Sequence, residues 1–99
     1  MLRLLVADGF APPVQQHRLR IGGRTVRLDL AYPQVLLAME VDGWEHHRTR
    51  TAFDDDRVRG NLIVAAGWTL VRFTSRTPDE EILRCVRNVW GRFGRTGAA

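Results

Sequence analysis

The sequence predicts an α/β domain in which one mixed sheet carries helices, with elements in the order (α)–β–β–β–α–β–α. Three observations carry that prediction. Val26–Ala31 and Val35–Asp42 alternate with period two on either side of Tyr32-Pro33-Gln34, the pattern of two antiparallel strands joined by a turn. Gly22-Gly23 sits just ahead of them, a two-residue hairpin signal that adds a strand before the pair. Two stretches with helical start and stop signals then flank a short apolar run, Trp68–Phe73, so the last strand joins the sheet through a crossover.

Taken in order, Met1–Ala7 is a short apolar segment read as a helix remnant, ended by Asp8-Gly9 and then Pro12-Pro13. Val14–Ile21 reads as the first strand. In the second, Val26, Leu28 and Leu30 are expected on one face and Arg27 and Asp29 on the other. In the third, Val35, Leu37, Met39 and Val41 oppose Leu36, Ala38, Glu40 and Asp42. Thr51-Ala-Phe-Asp54 resembles a capping box with Asp in place of Glu. It opens a helix to about Ala66, with Val58, Leu62, Ala65 and Ala66 as its buried stripe and Gly67 as C-cap. Asp54, Asp55 and Asp56 complement the dipole of its first turns. Thr77-Pro78-Asp79-Glu80 starts a final helix. Its stripe is Ile82, Cys85, Val86, Val89, Trp90 and Phe93, and 92–99 has no periodicity and is expected to fray as a disordered tail.

The chain of 99 residues is expected to form a single domain, 1–99, with one core. Its 44% hydrophobic and 26% charged residues are ordinary for a globular domain. All fifteen basic residues are arginine, a bias that a GC-rich bacterial coding sequence produces. The net charge of +4 favours a polyanionic partner. The lone Cys85 forms no intramolecular disulfide and fits a reducing, cytoplasmic setting. MLRLLVAD is too short for a signal-peptide core, and no run approaches a membrane span.

The chemistry concentrates between Val26 and His47. If both apolar faces meet one core, Asp29 lies on the face of Glu40 and Asp42, with Cβ atoms roughly 5–8 Å apart across the strands. Packed carboxylates repel, so a hard cation or a proton is needed to neutralise them. Mg²⁺ takes one or two carboxylates and keeps sites for water and phosphate oxygens. The metal-ligand candidates are therefore Asp29, Glu40 and Asp42. After Gly43 the chain reads Trp44-Glu45-His46-His47. A neutral imidazole there would activate a metal-associated water, and a protonated one would stabilise a leaving oxygen. A zinc site from His46, His47 and Glu45 lacks cysteine partners. Arg48, Arg50, Arg57 and Arg59 flank the region and would line a phosphate backbone, and Trp44 would stack on bases or pack in the core.

These residues resemble the PD-(D/E)XK nuclease core, whose acids lie on the second and third strands of an αβββαβ unit. The string from Asp29 to His47 is similar to the very-short-patch repair endonuclease branch, and closer still to a family of small bacterial proteins known as domain of unknown function 559. The pattern is carried by Asp29, Pro33, Glu40, Asp42, Gly43, His46, His47, Asp56, Arg57, Leu62, Gly67, Arg72 and Phe73. The resemblance implies a restriction-endonuclease-like fold and a metal-dependent DNA endonuclease or nickase using Mg²⁺ or Mn²⁺. Asp29 and Glu40 would be metal ligands, with His46 or His47 near the reacting water. The superfamily's lysine, two residues after the glutamate, is Asp42 here, so Asp42 is expected as a third ligand and a histidine or Arg57 as the electrostatic group. The alternative expectation is an inactive nucleic-acid- or partner-binding module of the same fold, excised from a larger protein. A homodimer or a fused DNA-reading domain would supply the recognition surface that so short a chain lacks.

Overall fold

A computed structural model of the chain describes residues 1–42 and 50–97, with side chains described as far as 92. Among the described residues it is a small α/β domain of four strands and three helices. They run α1 (Leu2–Ala7), β1 (Val14–Ile21), β2 (Arg24–Tyr32), β3 (Leu37–Asp42), α2 (Arg50–Ala65), β4 (Thr69–Thr74) and α3 (Asp79–Gly97). The sheet order is β1-β2-β3-β4. The first three strands form an antiparallel meander, and β4 lies parallel to β3 after the α2 crossover.

Local chemistry accounts for the turns. Gly22 and Gly23 both take positive φ, +53° and +80°, as a two-residue hairpin turn requires. Between β2 and β3 the chain makes a 3₁₀ turn at Pro33–Val35 and then places Leu36 in the left-handed region at φ +49°. The predicted third strand is therefore shortened at its start. Gly67, at φ +95°, ends α2 as expected.

Helices cover both faces of the sheet. Leu5 of α1 and Ile82, Leu83, Val86 and Val89 of α3 bury Tyr32, Leu37, Met39 and Phe73 on one face. On the other face Ile63 of α2 and Trp68 pack on Val26, Leu28, Ala31 and Ala38. The first cluster is capped by Phe10, Tyr32 and Trp90, whose ring centroids lie 5.5–6.2 Å apart. The Tyr32 hydroxyl donates to the Ala11 carbonyl at 2.7 Å, which fixes the segment after α1.

The expected alternation of β2 does not run through the strand. Val26 and Leu28 pack on the α2 side, whereas Leu30 packs on the α3 side. The break falls at Asp29, opposite Gln16, which has φ +50° and drops out of the β1–β2 ladder. Such an irregularity re-aims side chains between faces.

The predicted stripe of α2 is also displaced. Gly60 and Ile63 are the buried residues, Leu62 is half-buried, Ala65 and Ala66 are exposed, and Val58 is 51% exposed. Burying Val58 instead would rotate Arg59 away from the sheet, where it satisfies a buried carboxylate. The helix begins at Arg50, which puts the predicted cap Thr51 inside its first turn. At the other helix start the Thr77 hydroxyl accepts from the Thr74 N–H at 2.9 Å. The α3 helix continues to Gly97, past Arg92 where its apolar period ends.

Candidate functional site

Glu40 is the key residue. It sits on β3 two residues after Ala38 and shares that residue's α2-facing side, with 5% of its surface exposed. A carboxylate so placed needs charge-assisted partners to stay ionised. Arg59 of α2 supplies them with a two-pronged grip. Its Nη1 donates to Oε1 at 2.8 Å and its Nη2 donates to Oε2. Nη2 also donates to the Arg27 carbonyl on β2, so one guanidinium ties helix, third strand and second strand together. The hydrogen bonds to Glu40 hold Arg59 above its ordinary arginine pKa.

A second arginine closes the arrangement. Arg72 is the lateral partner of Glu40 across the parallel β3–β4 ladder. Its Nε lies 3.7 Å from Glu40 Oε1, and its Nη1 lies 3.0 Å from Asp56 Oδ2. Asp56 Oδ1 in turn lies 4.0 Å from Arg59 Nη1. Two acids and two arginines thus alternate around one point. The helix approaches β4 closely enough because Gly60 has no side chain: a Cβ there would meet Arg72 Nη2 at 3.3 Å and Leu70 at 3.6 Å.

Asp29 and Asp42 open on the same cavity as Glu40, Asp56 and Arg59, a recess of about 290 Å³ rimmed by Arg24 and Arg27. Asp29 is half-buried. Its Oδ2 accepts the Val41 N–H at 3.3 Å, just beyond the last β2–β3 ladder pair, Leu30 with Met39. The side chain stands in for backbone where β2 leaves β3. Asp42, half-buried, ends β3 beside Thr74 of β4.

The three predicted metal ligands therefore line one recess, and hard oxygen donors on adjacent strands are the right chemistry for a divalent cation. In this arrangement Glu40 is already engaged. Both Glu40 oxygens already accept from Arg59, and among the described residues no three His, Cys, Asp or Glu side chains stand close enough to hold one ion. Guanidinium groups of Arg59 and Arg72 neutralise Glu40 and Asp56.

The other predicted residues divide in two. Trp44, Glu45, His46, His47 and Arg48 lie outside the described residues. Arg50 is exposed at the start of α2, and Arg57 is exposed with its guanidinium 5.1 Å from the Phe53 ring centroid. Among the described residues, the guanidinium groups beside Glu40 are those of Arg59 and Arg72. Sequence reasoning passed over both as ion partners. The available signals were the Asp56–Arg59 spacing of three on one helix face and the buried acid's need for a cation.

These features define a small α/β domain with a recessed acid–arginine cluster at the open end of its sheet. Comparison with family models, characterised proteins and solved structures finds no match to this chain. No helix among the described residues is long and apolar enough to cross a membrane.

Proposed function

We propose that this chain is a DNA-directed domain of the PD-(D/E)XK kind that hydrolyses or nicks phosphodiester bonds with Mg²⁺ or Mn²⁺. The observation that carries the reading is the convergence of Asp29, Glu40 and Asp42, from adjacent strands, on one recess rimmed by arginines. The element order α–β–β–β–α–β–α supports it. On this reading Asp29, Glu40 and Asp42 are the residues that would hold the cation, and Glu40 would do so only when released from Arg59.

A second reading is favoured by that grip itself. A Glu40 permanently committed to Arg59 and Arg72 makes a structural strut, and the domain then binds nucleic acid or a protein partner without turnover. The experiment that separates them is incubation of supercoiled and mismatched DNA with Mg²⁺ or Mn²⁺, using wild type, Asp29→Ala and Arg59→Ala. Cleavage by wild type that Asp29→Ala abolishes supports the nuclease. Absence of cleavage by both wild type and Arg59→Ala, with DNA binding intact, establishes the strut.

A further inference from the structure

The charge of this chain is unevenly placed. From Gly9 to Leu28 there is no acidic residue, and the β1–β2 hairpin within that stretch carries Arg18, Arg20, Arg24 and Arg27. The remaining eleven arginines equal the eleven acidic residues in number, so the hairpin accounts for the whole net charge of +4. Among the described residues, ion pairs are made by Arg59, Arg72 and Arg87, and none by these four side chains.

The register sorts the hairpin into two faces. Leu19, Ile21, Val26 and Leu28 pack toward α2. Arg18 lies directly opposite Arg27, and Arg20 directly opposite Thr25, on the other face, where all four are exposed. Like charges directly opposite on a sheet are destabilising, so the fold retains Arg18 and Arg27 together against its own stability. Edge protection explains charges on β1, an outer strand. It does not explain Arg27, which lies on the interior strand β2.

We infer that the β1–β2 ribbon is a docking surface for the phosphate backbone of duplex DNA. The choice of polyanion rests on the DNA-directed reading given above; the surface rests on its own chemistry. Residues two apart on a strand are spaced about 6.8 Å, and the two strands lie about 4.8 Å apart. That brings three guanidinium-bearing residues, Arg18, Arg20 and Arg27, together on one face of a two-stranded ribbon, an element that the major groove of B-form DNA, about 12 Å wide, admits. The arginine face has no large apolar side chain, which an interfacial membrane element needs. The deep, narrow major groove of duplex RNA excludes such a ribbon. Arg27 and Arg24, the latter opposite Ile21 on the α2-facing side of the ribbon, also line the acid recess, which therefore adjoins the ribbon.

The test is fluorescence anisotropy of a labelled DNA duplex across a salt series, in EDTA so that binding is read without turnover. Wild type is compared with the double variant Arg18→Gln/Arg27→Gln and with Arg84→Gln, an exposed arginine on α3. Each lost phosphate contact makes the slope of log K against log salt shallower by about 0.9. The double variant is therefore expected to be shallower by about 1.8 and weaker at every salt concentration, with Arg84→Gln unchanged. Its melting temperature should not fall, because the substitution relieves a like-charge pair. A double variant that binds with wild-type affinity and slope overturns the inference. So does a wild type that fails to bind duplex DNA, or that binds duplex RNA or phosphatidylserine vesicles more tightly than DNA. Intact, ribbon-dependent binding with no cleavage under any metal leaves the ribbon standing and removes the nuclease reading.

Discussion

Arg59 holds both carboxylate oxygens of Glu40 in a parallel, two-pronged hydrogen-bonded pair, at a carboxylate with only 5% of its surface exposed. Removing one partner of such a pair leaves a buried charge with insufficient compensation. Arg72, 3.7 Å from the same oxygen, offsets part of that. Arg59→Ala is therefore expected to cost about 2–4 kcal/mol in urea denaturation, and Glu40→Gln in the Arg59→Ala background should recover part of the loss. Equal stability of wild type and Arg59→Ala would mean that the grip is not maintained in solution.

The same substitution tests metal access. With Arg59 gone, Glu40 is released toward the recess it shares with Asp29 and Asp42. Calorimetry should detect tighter Mn²⁺ binding by Arg59→Ala than by wild type, and Asp42→Asn should weaken it again. Failure of both proteins to bind Mn²⁺, with DNA present, favours the strut.

For His46 and His47 the expected signature is kinetic. If one activates the attacking water, its alanine variant should keep metal affinity and lose about 10²–10⁴-fold in rate. The wild-type rate should rise with pH through the imidazole range, near 6.5 for an unperturbed ring. Full cleavage by the double alanine variant would remove histidine from the mechanism.

Gly60 separates helix preference from close packing. Replacing it by Ala adds helix propensity of about 0.5–1 kcal/mol, while the new Cβ meets the flexible end of Arg72 at 3.3 Å. The side chain can shift by a few tenths of an ångström, so Gly60→Ala should be neutral to mildly stabilising. Gly60→Leu should lift α2 from β4, part Arg72 from Glu40 and cost about 1–3 kcal/mol. A melting series on the three proteins checks the order.

Burial pushes the Tyr32 phenol above its ordinary value of 10.0. A raised folded-state pKa gives a contribution that is fully present below the unfolded value and is lost as pH rises through the folded one. Stability should therefore fall above about pH 10, and Tyr32→Phe should flatten that alkaline limb. At neutral pH Tyr32→Phe should cost about 0.5–1.5 kcal/mol through the hydrogen bond to Ala11. An unchanged limb in the variant would assign the alkaline loss to other groups.

The turns and strand pairings were legible because Gly22-Gly23, Gly67 and the alternation of Leu37, Ala38, Met39 and Glu40 are local signals. The shared recess of Asp29, Glu40 and Asp42 was expected from unbroken alternation about one core. Instead, Val26 and Leu28 pack on the side of Glu40, and the recess forms where the alternation breaks at Asp29. What escaped depends on contacts between distant segments. The break at Asp29 requires the positive φ of Gln16 on another strand. The rotation of α2 follows from a carboxylate on β3, which overrides an apolar pattern that pointed to Val58. Arg59 and Arg72 looked like surface charges, since no window around either shows a buried acid.

The two faces of the sheet are held by different forces. The α3 side is a broad apolar cluster, whereas α2 buries only Gly60 and Ile63 and leaves Phe53, Val58 and Val64 about half exposed. Much of what anchors α2 is therefore the Glu40–Arg59–Asp56–Arg72 charge array, and that array is also the lining of the recess. Local opening of α2 and exposure of the acids are one event, and hydrogen exchange should find α2 amides opening well before those of α3. A polyanion that drew Arg59 or Arg72 toward itself would unlatch the helix as it arrived, so that ligand entry and partial unfolding would share a single free-energy cost.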